Sequence, residues 1–549
     1  MRQLQSAIGN AAMARLATTH SRRVLARFGE PEHKAAGDKA LPHARWRLRK
    51  ADTVIDNPFT DFQLTFGDWV ALGDWFENVE EVREMLRPGK RGEDKIGQLY
   101  YALFVKIRPK SLKEAEAAER LGGKEGGLWT EEDKKAVDMR YQVLKTRNIK
   151  HFPNPLVGDT NLSTAQKIKR TKDGAPLGAI AHYHRDHLEA IEIAIAAAHV
   201  PDKGRLGEAL AHDGFACHFL TDAFSGSHAR TPRASIEVYW DKKVPKFDEL
   251  LVKWLADEAT LVVIQHPNTE IRKKGFAALA GVKELGAPLA PKMARDSVRE
   301  LIRPEVPALS FGDIVGLVVH DWDGAHGPDR HGPLVDVAGQ RFRLAGDDDM
   351  LPAVASMQTV NSDKELTAVL KDRKRSDAEK TFAGASLAVR ASANDIQRAF
   401  DLAKKDTNKS RIIGKLTDKN GLFAAERLLP SVVPDAQQPE ADRMPKWNHN
   451  TVDDLLKDPK IQAALPMSAD RVGGPFNDTL KSLDASKAVK DHLRKVVVEP
   501  LTSGSVPRIV AWLKGVINYS EATLFKRLKP HRRPVERDLN DLRQSVGAR

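Results

Sequence analysis

The stretch Ala211–Arg233, AHDGFACHFLTDAFSGSHARTPR, decides how this chain is read. His218 and Asp222 stand four apart, so on an α-helix both side chains leave the same face, one turn apart. Ser225-Gly226-Ser227 stops that helix, and a turn there can swing His228, six residues past Asp222, back toward the same point. Two imidazoles and a carboxylate converging from a helix and its exit suit zinc. That ion takes nitrogen and oxygen ligands at about 2.0–2.2 Å, and a carboxylate can bridge two ions. Phe215, Phe219, Leu220 and Phe224 would pack the opposite side and hold the helix in place. Cys217 points about 100° around the helix from His218 and reads as a small buried apolar residue.

The surroundings of this stretch are rich in histidine. Of 18 histidines in 549 residues, eight fall between His151 and His228. Histidine is the side chain most used to hold transition metals, although such residues also collect on polar helix faces. The rest of the composition sets bounds. With 41% hydrophobic and 30% charged residues the chain can bury a sizeable core, which excludes wholesale disorder. Eighty-seven basic against 75 acidic residues leave +12, which favours anionic partners such as phospholipid surfaces or nucleic acid. Aromatics at 6% argue against a large stacking platform, and one cysteine rules out an internal disulfide or a multi-thiolate site. No apolar run reaches the roughly 18 residues of a membrane-spanning helix, and no secretory h-region is visible.

Outward from the central stretch the pattern is mainly helical. Residues 60–84 carry an apolar periodicity broken by Gly67 and Gly73, and Lys95–Ile107 reads as a buried helix. Arg108–Gly127, with its Gly-Gly pairs, reads as an exposed excursion, and Thr130–Thr146 as a helix capped by Thr130. Ala179–Val200, free of glycine and proline, predicts one long helix, and Lys203–Phe224 a second. Helix continues over Ser235–Val306. Pro333–Val337 and Arg341–Leu344, joined at Gly339, predict a small hairpin. Ser362–Lys405 is charged and periodic, Leu429–Asn450 reads as a linker or long loop, and Thr451 onward as a further helical region. The basic residues Lys526, Arg527, Lys529, Arg532, Arg533 and Arg537 near the end read as a solvated tail.

The string H-x-x-x-D-x5-H resembles the core of the zinc-dependent phospholipase C and S1/P1 nuclease superfamily, and HFLTDAFSGSH-x-RTPR is closer still to a bacterial branch of it. The resemblance spans about residues 29–345. It implies a mainly α fold, a phospholipase C/P1 nuclease-like helical domain over 29–345; the small β-hairpin and a helical C-terminal region over 346–549, of unassigned role, are read from the residue pattern. It also implies a cluster of two or three zinc ions. Residue by residue, RNIKHF (Arg147–Phe152) is similar to the branch's N-x-x-HF element and makes His151 a ligand. Tyr183-x-x-x-His187, with Ala190 and Ala194, is similar to a helix in which the histidine supports the ligands. GEPEHKAAGD (Gly29–Asp38) and LTFGDWVALGDWF (Leu64–Phe76) resemble two earlier elements. From these the expectation takes His33 and Asp74, with Asp74 slightly ahead of Asp68.

VVHDWDGAHG (Val318–Gly327) occupies the place of the family's late ligand pair and offers His320. The implied ligand set is therefore His33, Asp74, His151, His218, Asp222, His228 and His320, with Asp74 and Asp222 catalytic. Two departures stand out. Four residues after His320 comes Gly324, not a carboxylate, leaving Asp323, Asp321 or His326 as substitutes. The family's third zinc is held by an N-terminal tryptophan, whereas here Trp46 is the first. His182, His184, His199 and His212 read as solvent-facing or packing residues.

Residues 1–28 hold five arginines and no acid, with Leu4, Ile8, Ala12 and Leu16 at four-residue steps. A frayed terminus, an amphipathic helix and a transit peptide all fit this composition. LQSAIGNAAMARL (Leu4–Leu16) also resembles the opening of cargo proteins of bacterial extracellular contractile injection systems. That resemblance implies an effector made in a bacterial cytoplasm without a signal peptide, exported or injected as cargo, with injection-system components as partners. The resemblance to the phospholipase branch, with the basic charge, implies a zinc-dependent phosphoric-ester hydrolase, phospholipase C-like, acting at a phospholipid surface. Two alternatives remain: a single-strand nuclease with Trp69, Trp75 and Phe76 as a base slot, and a non-catalytic effector or scaffold that keeps the fold.

Overall fold

The computed structural model describes residues 30–41, 54–55, 64–74, 76, 78–85, 148–153, 178–200, 204–265, 309–324, 332–346, 350–482 and 487–520. The segment 1–28, the expected elements at 95–146, His326 and the basic tail lie outside these residues. The described chain is mainly helical. In order run α1 (Glu30–Ala40), α2 (Phe66–Ala71), α3 (Val79–Met85), α4 (Ala179–Ala197), α5 (Gly204–Asp222) and α6 (Gly226–Arg230). Then follow α7 (Arg233–Lys243), α8 (Phe247–Gln265), α9 (Phe311–Asp323), β1 (Leu334–Val337), β2 (Gln340–Arg343), α10 (Met350–Ser356), α11 (Asp363–Lys371), α12 (Asp377–Ala403) and α13 (Lys409–Leu416). A short strand β3 (Ser431–Val432), α14 (Val452–Leu455), α15 (Pro459–Ser482), α16 (Lys487–Leu493), a π-turn, α17 (Glu499–Thr502) and α18 (Val506–Ile517) complete it.

Contacts divide the chain into two compact units that interleave along the sequence. One contains Leu25–Ser235 and Trp322–Met444; the other contains Ile236–Asp321 and Pro445–Arg549, together with residues 1–24.

The first unit is built on α4, α5 and α12. Alanines at 190, 194 and 197 make α4 slim, and they are fully or almost fully buried. Contacts between His182 and Phe219, and between His187 and Asp213, show α4 and α5 running antiparallel. Asp213 meets Ser392, and Phe224 lies against Gly384, so α12 runs antiparallel to α5 as well. A Cβ at Gly384 would stand 2.9 Å from the Phe224 ring, so a bare backbone is needed for that crossing. Capping boxes at Ser362 and Ser376 begin α11 and α12. Helix α1 is tied to this frame by Lys39 Nζ, which donates to the carbonyls of Met357 (2.8 Å) and Val360 (3.0 Å). Arg390 in turn donates to Lys39 O at 2.7 Å. Helix α2 crosses α1 where a Cβ on Gly37 would lie 2.5 Å from Gly67 Cα.

The expected hairpin is present as β1 and β2, paired antiparallel from Leu334–Arg343 to Val337–Gln340. Its two-residue turn places Ala338 at φ 52° and Gly339 at φ 79°, the mirror-image turn whose twist suits a hairpin. The segment read as a linker supplies β3, which pairs with β1, and two 3₁₀ turns at Asp435–Gln437 and Glu440–Asp442. Prolines at 434 and 439 start both turns, so local rigidity rather than slack produced the proline-rich composition.

In the second unit, Trp240, Phe247 and Phe311 pack together, and Trp254 meets Trp512 edge-on. Trp240 Nε1 donates to Trp447 O at 2.8 Å, and His492 pairs with Glu258 at 2.9 Å. Among the described residues no helix is long and apolar enough to cross a membrane.

The three-helix frame encloses a polar knot. His187 Nδ1 lies 2.6 Å from Asp213 Oδ1, Ser392 Oγ donates to the same oxygen at 2.7 Å, and Tyr183 OH donates to Ser392 Oγ at 2.9 Å. Burial opposes a charge on His187, but Asp213, with Asp395 and Glu426 nearby, more than offsets it and raises the imidazole above its ordinary range. A raised value means the pair's stability is complete below the unfolded histidine value, about 6.5, and is lost as pH climbs through the folded one. The stability difference between wild type and His187→Gln, measured by denaturant melts, is therefore expected to shrink from neutral to mildly alkaline pH. A gap that stays constant with pH would mean the imidazole is neutral throughout.

Candidate metal centre

Asp222, the last residue of α5, lies fully buried among four imidazoles. Its Oδ2 is 2.5 Å from His151 Nδ1 and 3.3 Å from His218 Nε2, and those two nitrogens are 3.0 Å apart. Its Oδ1 is 3.1 Å from His228 Nδ1 and 3.7 Å from His33 Nε2. Asp74 Oδ2 stands 4.0 Å from His33 Nε2 on the same side. Each carboxylate oxygen thus faces its own imidazole pair. His33, His218 and Asp222 present ligand atoms within 4.8 Å of one another and form a buried group able to hold a metal ion.

The tautomers of His33 and His218 suit that role. Thr221 Oγ1 gives its proton to the carbonyls of Cys217 and His218, both at 2.8 Å. It must therefore accept from His33 Nδ1 at 2.6 Å, which leaves the lone pair on His33 Nε2. A carbonyl can only accept, so His218 Nδ1 donates to Val70 O at 3.1 Å and its Nε2 keeps the lone pair. Metal-binding histidines characteristically donate the other ring N–H to a carbonyl or hydroxyl in this way, which orients the ring.

Local sequence explains the convergence. Helical spacing puts His218 and Asp222 on one face, and Gly226 then allows a sharp return. A Cβ there would lie 3.0–3.3 Å from the carbonyls of Ala345, Asp323 and Leu344, and Gly226 N donates to Ala345 O at 3.0 Å. The return carries His228 back to Asp222. His151 closes a 3₁₀ turn, Asn148–His151, and Phe152 beside it packs on the His228 ring with centroids 4.5 Å apart. Asp74 ends the 3₁₀ turn that follows α2.

Of the expected ligands, His33, His151, His218 and His228 thus meet around the Asp222 carboxylate, and Asp74 stands beside His33. His320 lies in the other unit, its Nδ1 3.0 Å from Asp321 Oδ1. The substitutes near it are engaged elsewhere. Burial alone would push the Asp321 carboxyl up, but Arg471, His320 and Ser468 hold it below its ordinary range. Asp323 takes two bonds from Arg230, at 2.5 and 2.9 Å. Asp68, the near rival of Asp74, serves as the capping box of α2 with Thr65 and pairs with Lys34 at 2.5 Å.

Among the described residues, His182, His184 and His187 fall to packing and pairing. His182 is neutral, pushed down to about 3 by burial and by Arg185 and Lys150, and stacks on Phe219. His184 pairs with Glu426 at 2.6 Å. His187 belongs to the Asp213 knot, on a different face of α5 from His218. Of the aromatic residues considered for a base slot, Trp69 and Phe76 are buried in the core, and Trp75 lies outside the described residues.

Three contributors were not foreseen from the sequence: Thr221, the Val70 carbonyl and Gly73. Thr221 had a signal, since it sits three residues from His218 and can return its hydroxyl to the helix carbonyls. No family model matches the chain, and comparison with curated proteins and with solved structures returns no significant match.

Gly73 supports the centre by close approach. A Cβ there would lie 2.3–2.4 Å from the His218 ring. Gly73→Ala must displace that imidazole and should weaken divalent-metal binding about 10–100-fold, the usual cost of disturbing a ligand's support. Calorimetric titration of the folded variant with zinc measures this. An unchanged affinity would remove His218 from the ligand set.

Proposed function

We propose that this protein is a zinc-dependent phosphoric-ester hydrolase of the phospholipase C type, built on a phospholipase C/P1 nuclease-like helical frame. The observation that carries the reading is the Asp222 carboxylate with an imidazole pair on each oxygen, a nitrogen and oxygen donor set that would hold zinc. His33, His218 and Asp222 would hold zinc, with His151 and His228 on the same carboxylate as donors for a second ion and Asp74 beside His33. Imidazole nitrogen and carboxylate oxygen are the donors zinc takes in hydrolytic sites. Bound zinc would supply Lewis acidity toward a phosphoryl oxygen and a lowered pKa for water.

The donor set also favours the substrate class. Four neutral imidazoles and two carboxylates cancel half the charge of two divalent ions, so the loaded centre stays positive and favours an anionic ester. Asp74, beside His33, is the carboxylate that would orient the nucleophilic water and accept its proton. His33 and His218, held by Thr221 and Val70, keep their rings fixed while the ester binds. The +12 charge of the chain favours the ester of an anionic bilayer. In this reading residues 1–28 act as a loading tag, and the protein is an effector delivered from a bacterial cytoplasm through a contractile injection system.

Purified protein with zinc should release phosphorylated headgroups from mixed liposomes containing anionic lipid. Asp74→Asn should lower turnover about 10²–10⁴-fold, the range for removal of a general base. Asp222→Ala should abolish both activity and binding of the second zinc. Headgroup release that is absent at every lipid composition, with single-stranded DNA degraded instead, would transfer the same chemistry to a nuclease. Fewer than two zincs per chain would leave only a non-catalytic scaffold.

A further inference from the structure

We infer that Arg230 is a positioning residue that holds His228 against Asp222, an inference that rests on reading the centre as a two-ion site. Helix α6 has only five residues, Gly226–Arg230, too few to form a stable helix by itself. Its conformation must therefore be imposed from its ends. At the first end Gly226 N donates to Ala345 O at 3.0 Å. At the last end the Arg230 guanidinium, 1% exposed, spends its fork on four groups of two other segments. Nε and Nη2 make the two-bond pair with Asp323, Nη1 donates to Asp435 Oδ1 (3.1 Å) and Gln438 Oε1 (3.2 Å), and Nη2 also donates to Asp442 O (2.7 Å). His228 sits between these anchors, its Nδ1 3.1 Å from Asp222 Oδ1 and its ring on Phe152.

The planar fork is what a lysine cannot reproduce. An ammonium carries the charge but is a point donor and cannot make parallel bonds to Asp323 while reaching Asp435 and Gln438. Loss of the fork should therefore loosen the return at residues 226–230 and the imidazole it carries. His33, His151 and His218 reach Asp222 from α1, the Asn148–His151 turn and α5 itself, and should be unaffected. The same bonds take Asp323 away from the ligand role that the sequence offered it.

The test compares full-length wild type with Arg230→Lys and with Asp435→Asn, a milder cut at the half-exposed end of the network. Zinc titration of the apo protein should show two binding steps in wild type. Arg230→Lys should weaken one step about 10–100-fold and leave the other in place, and Asp435→Asn should weaken the same step by less. In parallel, imidazole ¹⁵N spectra of the apo proteins should show the His228 Nδ1–H protected from exchange in wild type and rapidly exchanging in Arg230→Lys, with His33 and His218 unchanged. A His228 signal identical in wild type and in both variants overturns the positioning role, whatever the metal count. A shifted His228 signal in a protein that binds fewer than two zincs leaves the positioning role standing and overturns the two-ion reading instead. Should Arg230→Lys fail to fold, Asp435→Asn decides by the same two measurements.

Discussion

Asp222 is a fully buried carboxylate with four imidazoles as its neighbours, and this arrangement constrains much of the first unit. A buried charge is costly unless it is paired and hydrogen-bonded, so every element that brings a histidine to Asp222 is also stabilising an otherwise expensive group. That explains why the centre draws on α1, the 3₁₀ turns at Leu72–Asp74 and Asn148–His151, α5 and α6 together. It also explains why small residues recur where these elements meet: Gly37 against Gly67, Gly214 against Trp69, Gly73 against His218, and Gly226 against three carbonyls. At each of these places backbone must come closer than a side chain would allow.

Two other polar systems frame the centre without joining it. The His187–Asp213–Ser392–Tyr183 knot ties α4, α5 and α12 into the frame from which His218 and Asp222 project. The Arg230 fork binds the exit of α5 to the segments around Asp323 and Asp435–Asp442. Both are hydrogen-bonded and buried apart from Asp435, the condition under which buried polar groups specify a packing rather than weaken it. The chemistry is thus separated from the scaffolding. The imidazoles aimed at Asp222 form a group able to hold a metal ion, whereas Asp68, Asp321 and Asp323 are taken up by lysine or arginine.

Much of this was legible along the chain. The four-residue step from His218 to Asp222 and the break at Ser225-Gly226 describe one helix face and its exit, and they hold in the structure. Helices α4 and α5 and the hairpin at Gly339 follow from periodicity and turn chemistry, because such signals are local. The choice between Asp68 and Asp74 was nearly even, since both follow a glycine and neither spacing distinguishes them. Only the fold shows Asp68 consumed by Thr65 and Lys34. The stretch 429–450 read as a linker because proline and polar residues look alike in a loose loop and in a rigid turn.

What the sequence determined by itself was the identity and local presentation of the donors: which histidines and aspartates exist, and which share a helical face. Tertiary structure decided which of them meet. It brought His33 and His151 to Asp222 across separations of 189 and 71 positions, set the tautomers of His33 and His218 through Thr221 and Val70, and gave Asp323 to Arg230. The reason is physical. Helical periodicity encodes only neighbours within a turn or two, while ligand geometry depends on which backbones can approach closely and which charges are already neutralised, and both are properties of the packed whole.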